Sequence, residues 1–209
     1  MTTEYEQWRK TNWDRAHKEG DISALTGTGL GGHLATLGCT ELVYPETNVL
    51  CIGVGTGKWV HELVPKVTNT WALDTSSKAK DCLPPIVEFT EDAKQLPTDY
   101  FDLAMSLWVT PHMTDHDLEC QLKEVIRSLK VGGILAIHYK EPISNETTID
   151  NLQGSEREWR RASDAGMLRR RSYFEEMVTW SGGKVVKRVS ENVSHFYSII
   201  EVSTHITKE

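Results

Sequence analysis

Nothing in this chain constrains its fold more than the stretch Asn48-Val-Leu-Cys-Ile-Gly-Val-Gly-Thr-Gly-Lys-Trp59. Val49 to Ile52 is a short apolar run of the kind that forms a buried strand, and Lys58 to Val64 can continue as a helix. Between them stand Gly53, Gly55 and Gly57 at alternate positions, with Val54 inside the turn. A strand that turns tightly into a helix presents free backbone N–H groups and the positive end of the helix dipole. Glycine leaves that main chain bare, so a ligand can approach with no Cβ in the way. The stretch reads as a ligand-binding turn in an α/β protein; a tight connection that binds nothing is the plainer alternative.

Spacing narrows the ligand. A dinucleotide fingerprint places its third glycine five residues after the first, where this chain has Lys58. A phosphate-binding P-loop needs a longer gap than the one between Gly53 and Gly57, and Trp59 stands where a hydroxyl residue would hold magnesium. The run Asn69 to Leu73 forms a second strand, ending at Asp74 and Thr75. Asp74 lies 21 residues beyond Gly53, where a carboxylate at the tip of the neighbouring strand can bond both ribose hydroxyls of an adenosine. The competing role for Asp74 is to cap a helix starting near Ser77. A third feature, Glu91-Asp-Ala-Lys-Gln-Leu-Pro97, leads into the strand-like Phe101-Asp-Leu-Ala-Met-Ser-Leu107.

In this order, the Gly-x-Gly-x-Gly turn, Asp74, the Asp-Ala-x-x-Leu-Pro segment and Leu129-Lys-Val-Gly-Gly-Ile-Leu-Ala-Ile137 resemble the motifs of the class I S-adenosylmethionine-dependent methyltransferases. The match runs over residues 45 to 205. The resemblance implies S-adenosyl-L-methionine as cofactor, with Asp92 accepting from the adenine amino group, the Ala93 backbone beside it, and Ser106 and Leu107 lining the end of the fourth strand. Family members often place a substrate cap between the fifth strand and the following helix. One position departs from the pattern: the acidic residue usual two before the first glycine is Cys51. The methionine amino group must then be anchored elsewhere, and the N-terminal segment is a candidate.

At 209 residues the chain suits one α/β domain with a core large enough to fold unaided. Its 23 basic against 30 acidic residues, net −7, argue against nucleic acid and anionic membranes as partners. Cys39, Cys51, Cys82 and Cys120 show no Cys-x-x-Cys spacing and read as reduced thiols of a cytoplasmic protein. No apolar stretch approaches the ~18 residues of a membrane helix, and the N-terminus is no signal peptide.

Residues 1–44 read as an N-terminal cap: one amphipathic helix or two short ones over 3–18, then a glycine-rich loop over 20–38. There Gly27-Thr-Gly-Leu-Gly-Gly32 spells a dinucleotide fingerprint without the strand it requires, so a loop over the cofactor mouth or an ordinary surface loop is expected. Beyond it, strands near 48–53, 69–73, 86–89, 101–107 and 132–140 alternate with helices near 57–64, 77–82 and 115–129, which argues for a parallel sheet. Thr114 with Asp117 three positions on has the spacing of a capping box. After a helix over 172–180, strands 184–191 and 195–203 are linked by Asn192-Val-Ser194, too short for a parallel crossover, so they pair as an antiparallel hairpin. A mostly parallel sheet closing with such a hairpin is what the resemblance implies: a Rossmann-like three-layer sandwich with a seven-stranded sheet ending in that hairpin.

Methyl transfer from a sulfonium is an in-line displacement, so alignment supplies most of the acceleration and a base is needed only for a protonated nucleophile. His112, just past the fourth strand, and Tyr139, near the end of the fifth, are the base candidates; a turn-forming histidine and a buried strand tyrosine are the plainer readings. Trp59 and Trp108 are candidates for stacking on the cofactor or packing in the core. His112 and His116 are four apart, but the Thr114 cap puts His112 outside the helix, so no metal site is expected. Residues 143–171 read as a substrate cap holding six of the ten arginines (Arg157, Arg160, Arg161, Arg169, Arg170, Arg171), suited to an anionic acceptor or to local ion pairs on a solvated face. The expected activity is methylation of oxygen or nitrogen on a small molecule. An RNA or protein methyltransferase, a non-catalytic cofactor-binding module and a nicotinamide oxidoreductase are the alternatives, and the oligomeric state is left open.

Overall fold

The computed structural model describes residues 11, 13, 14, 30–141, 167–190 and 195–203. Two compact units divide the chain, residues 1–96 and 97–209. In the first, β1 (Asn48–Ile52) is a run of apolar residues whose side chains from Val49 on are all buried. It pairs in parallel with β2 (Asn69–Leu73), which pairs in parallel with β3 (Glu88–Thr90). The connections are α2 (Lys58–Leu63), following α1 (Leu30–Leu37), and a 3-10 helix over Ser77–Cys82.

The second unit holds β4 (Phe101–Ser106) beside β5 (Leu129–Lys140) in parallel, then β7 (His195–Glu201) and β6 (Lys184–Ser190), both antiparallel. Helices α3 (Asp115–Ser128) and α4 (Arg171–Trp180) connect them. The complete strand order is β3-β2-β1-β4-β5-β7-β6, a seven-stranded sheet closing with the expected hairpin. The Thr114 cap also forms, its Oγ1 accepting the Asp117 N–H at 3.1 Å.

Three elements differ from expectation. Residues 30–37 are helix rather than loop, because Leu30, His33, Leu34 and Leu37 recur at helical spacing and bury one face despite Gly31 and Gly32. The connection over 77–82 is 3-10 rather than α-helix. The fifth strand begins at Leu129, not 132, because Gly132, at φ +81°, makes a bulge rather than a turn. A Cβ on Gly133 would stand 2.8 Å from the Lys130 carbonyl oxygen and 3.0 Å from that of Phe101, so the kinked strand needs glycine there. Most of the expected N-terminal helix, Gly27 and Gly29, residues 142–166 of the substrate cap and the hairpin loop lie outside the described residues.

Candidate functional site

The first unit brings the glycine turn and Asp74 together. Gly53, Gly55 and Gly57 all take left-handed backbone, at φ +64°, +55° and +74°, where a side chain costs about 1–2 kcal/mol. Gly57 is needed twice over: a Cβ there would lie 2.9 Å from both the Cys82 carbonyl oxygen and Leu83 Cδ2. The His61 ring meets the same Cys82 carbonyl at 2.9 Å, so α2 and the 77–82 segment close on the turn from one side. Val54 and Trp59 are buried, which makes Trp59 a core residue.

Asp74 is buried at the tip of β2, its Oδ2 accepting the Gly55 N–H at 3.4 Å and its Oδ1 the Ser76 N–H at 3.0 Å. The capping role considered for Asp74 falls to Ser76, whose Oγ accepts the Lys78 N–H at 3.3 Å. That hydroxyl donates in turn to Asp14. Ser76 and Asp14 were not singled out from sequence; only the local Asp-x-Ser spacing hinted at the first. Thr75 is exposed. Asp92 is exposed too and caps the short Ala93–Gln95 turn, its Oδ1 accepting the Lys94 N–H at 3.0 Å. Cys51 is buried, and burial pushes its thiol pKa well up, so the position that departs from the family pattern is neutral.

In the second unit, Ser106 ends β4 fully buried, its hydroxyl without a hydrogen-bond partner among the described residues, and Leu107 follows, also buried. Trp108, at φ +62°, stacks on His138 with ring centroids 4.3 Å apart. His112 closes a 3-10 turn (Thr110–His112) that leads into the cap of α3. Burial, reinforced by the nearby Lys140 charge, holds its pKa below the ordinary 6.5, so the imidazole is neutral at physiological pH. His116 sits on α3 with Cys120 Sγ 3.8 Å from its ring. No group of three or more metal-ligating side chains comes together among the described residues.

Tyr139 stands differently from His112. Its ring stacks on Phe174 at 4.2 Å, its hydroxyl donates to Glu141 at 2.6 Å, and Arg188 donates to both that hydroxyl and Glu141, at 3.1 and 2.6 Å. Burial first and the Glu141 bond second push its pKa up to about 12. The arginine cluster is also divided. Arg169 is fully buried and bonded to Asp115 and two carbonyls, Arg171 pairs with Glu175 at 2.7 Å, and Arg170 is exposed at the start of α4. Local sequence carried no sign of Arg169's role, because its acceptors lie 54 to 59 residues earlier.

Residues 50–137 match the family model described as a methyltransferase domain. No curated protein matches the chain. Among solved structures, it resembles the Burkholderia thailandensis 1,6-didemethyltoxoflavin-N1-methyltransferase with 1,6-didemethyltoxoflavin and S-adenosylhomocysteine bound (TM-score 0.68, 15% identity, covering 98% of this chain and 92% of that one). It also resembles the N-methyltransferase NodS of Bradyrhizobium japonicum in complex with S-adenosylhomocysteine (TM-score 0.67, 15%, 94% and 99%). A third likeness is to the complex between the Haloferax volcanii Trm112 methyltransferase activator and a methyltransferase (TM-score 0.63, 15%, 98% and 100%). At these identities the likeness is one of fold. Among the described residues, no helix is long and apolar enough to cross a membrane.

Proposed function

We propose that this chain, whose residues 50–137 match a methyltransferase-domain model, is a class I S-adenosylmethionine-dependent methyltransferase that methylates oxygen or nitrogen of a small-molecule acceptor. The observation that carries the cofactor assignment is the bare, left-handed main chain at Gly53–Gly57 beside a buried carboxylate at Asp74. The Asp74 to Gly55 bond is long at 3.4 Å and exchanges readily for ribose hydroxyl donors. Bound S-adenosylmethionine supplies an electrophilic methyl on a sulfonium. The chain's own residues hold its nucleoside: Asp74 the ribose, Asp92 and the Ala93 backbone the adenine edge, and Gly53 to Gly57 the main-chain side. In the second unit, Ser106, whose hydroxyl has no hydrogen-bond partner among the described residues, and Leu107 are the further cofactor candidates. Cys51, held neutral by burial, contributes no charge to anchoring the amino group.

The proton of a hydroxyl or ammonium acceptor goes to His112, a neutral imidazole able to take it at physiological pH. Tyr139 is the weaker choice: its hydroxyl is already a donor to Glu141, and with a pKa of about 12 it offers no phenolate. A small acceptor is supported by the chain's acidic balance and by the Burkholderia relative, whose bound acceptor is small. Because Arg169 and Arg171 are engaged within the protein, an anionic acceptor rests on Arg170 and on Arg157, Arg160 and Arg161 outside the described residues.

Calorimetry of S-adenosylhomocysteine with the full chain, followed by transfer of labelled methyl onto panels of metabolites, RNA and protein, tests this reading. We expect binding, protection from heat by S-adenosylhomocysteine but not NADH, and label on a metabolite. Binding without transfer to any panel would instead identify a regulatory module.

A further inference from the structure

We propose that Arg169 is a positioning residue for His112, its buried guanidinium fixing the turn that carries the imidazole. The proposal rests on the reading of His112 as the base.

Two backbone bonds hold the Thr110–His112 turn internally: His112 N–H to the Val109 carbonyl at 2.9 Å and Met113 N–H to Thr110 at 3.2 Å. A turn so short has little stiffness of its own. Its outward carbonyls are taken by the segment just before α4. Arg169 donates from Nη1 to the Thr110 carbonyl at 2.9 Å, from Nη2 to Met113 at 2.6 Å, and from Nε to Asp115 at 2.8 Å. The Met167 N–H takes the intervening Pro111 carbonyl at 2.6 Å. Carbonyls immediately before and after His112 are thus held by two residues of one segment.

That segment also fixes the other side of His112. The Arg169 N–H donates to the Lys140 carbonyl at 2.8 Å, and Leu168 bridges Lys140 in parallel. The Lys140 charge bears on the imidazole. One residue therefore ties both the turn and the end of β5, and with them the spacing between the buried His112 and the Lys140 cation, whose charge adds to burial in holding the imidazole neutral. Arginine suits this role because a planar fork can satisfy a carboxylate and two carbonyls at once, and it stays charged when buried. A fully buried cation with one carboxylate partner is costly to keep for packing alone.

Among the described residues, the charged and titratable groups around this corner are Lys140 from β5, Asp115 and Asp117 from α3, the Tyr173 phenol from α4, and Arg169 itself. Arg169→Lys keeps the charge but cannot reproduce the three-way contact. Histidine-ring NMR titration of the full chain, with His112→Gln to assign the signal, reads the consequence. In Arg169→Lys we expect the loosened turn to hydrate and the His112 titration to rise toward 6.5, while Arg171→Lys, altering an exposed pair, leaves it unmoved. A folded Arg169→Lys whose His112 titrates as in the unaltered protein overturns the proposal; so does an equal shift in Arg171→Lys. If Arg169→Lys does not fold, amide exchange in Asp115→Asn decides. There the His112 and Met113 amides should exchange at least ~10-fold faster while β5 keeps its protection, and unchanged rates overturn the proposal. These readouts involve no methyl transfer. Normal transfer by His112→Gln, with the Arg169→Lys shift present, would overturn the base reading and not the contact.

Discussion

Alanine at Gly57, compared with alanine at two other glycines, separates conformational strain from close approach. At Gly31, in α1, an added Cβ meets nothing within 4 Å and the backbone is helical, so Gly31→Ala should stabilise by about 0.5–1 kcal/mol. At Gly132 the surroundings are equally open but φ is +81°, so Gly132→Ala should cost only the left-handed penalty, about 1–2 kcal/mol. At Gly57 the same penalty applies at φ +74°, and the Cβ also lies 2.9 Å from a backbone carbonyl that cannot turn aside. Overpacking of this kind adds ~1–3 kcal/mol, for a total of about 2–5 kcal/mol. At roughly 2–4 °C per kcal/mol for a chain of this size, Tm falls by about 4–20 °C. Relief of the clash must push the turn away from Cys82, so S-adenosylhomocysteine should bind about tenfold or more weakly, the factor that ~1.4 kcal/mol of misfit produces. Differential scanning calorimetry and titration calorimetry on the three variants measure both effects. A Gly57→Ala protein no less stable than Gly132→Ala, with unchanged affinity, would refute the close-approach argument.

Other consequences follow from the same geometry. Asp74→Ala should leave the fold intact and weaken S-adenosylhomocysteine by about 1.5–3 kcal/mol, the value of hydrogen bonds to a charged group; unchanged affinity in calorimetry removes the ribose assignment. Tyr139 is protonated more tightly in the folded chain, so its contribution is complete below pH 10 and lost as pH rises through about 12. Tyr139→Phe should therefore flatten the alkaline limb of stability against pH, as read by urea midpoints across that window. Thr114→Ala removes the cap on Asp117 and should cost about 1 kcal/mol, visible in the same denaturation assay.

The sheet was legible because its signals are local. An apolar run too short for a helix, a link too short for a crossover and a cap three residues from its partner each declare themselves within a dozen residues. The places where expectation slipped are also local, but governed by competing terms. Gly31 and Gly32 suggest a loop over 30–37, yet burial of Leu30, Leu34 and Leu37 outweighs about 1 kcal/mol of helix penalty per glycine. Gly132-Gly133 suggests that the fifth strand starts only there, yet pairing on both sides of β5 keeps the chain extended from Leu129 through a bulge.

What sequence alone determined is therefore the order of the strands' chemistry: the glycine turn, the carboxylate one strand later, and the hairpin at the end. Tertiary structure alone decided what each polar group is committed to. Tyr139 and Arg169 look equally available on paper, but one is bound to Glu141 and Arg188 and the other to Asp115, Thr110 and Met113. Those partners lie up to 59 residues away. A buried polar group must find a partner wherever the fold brings one, and no spacing rule along the chain reveals where that is.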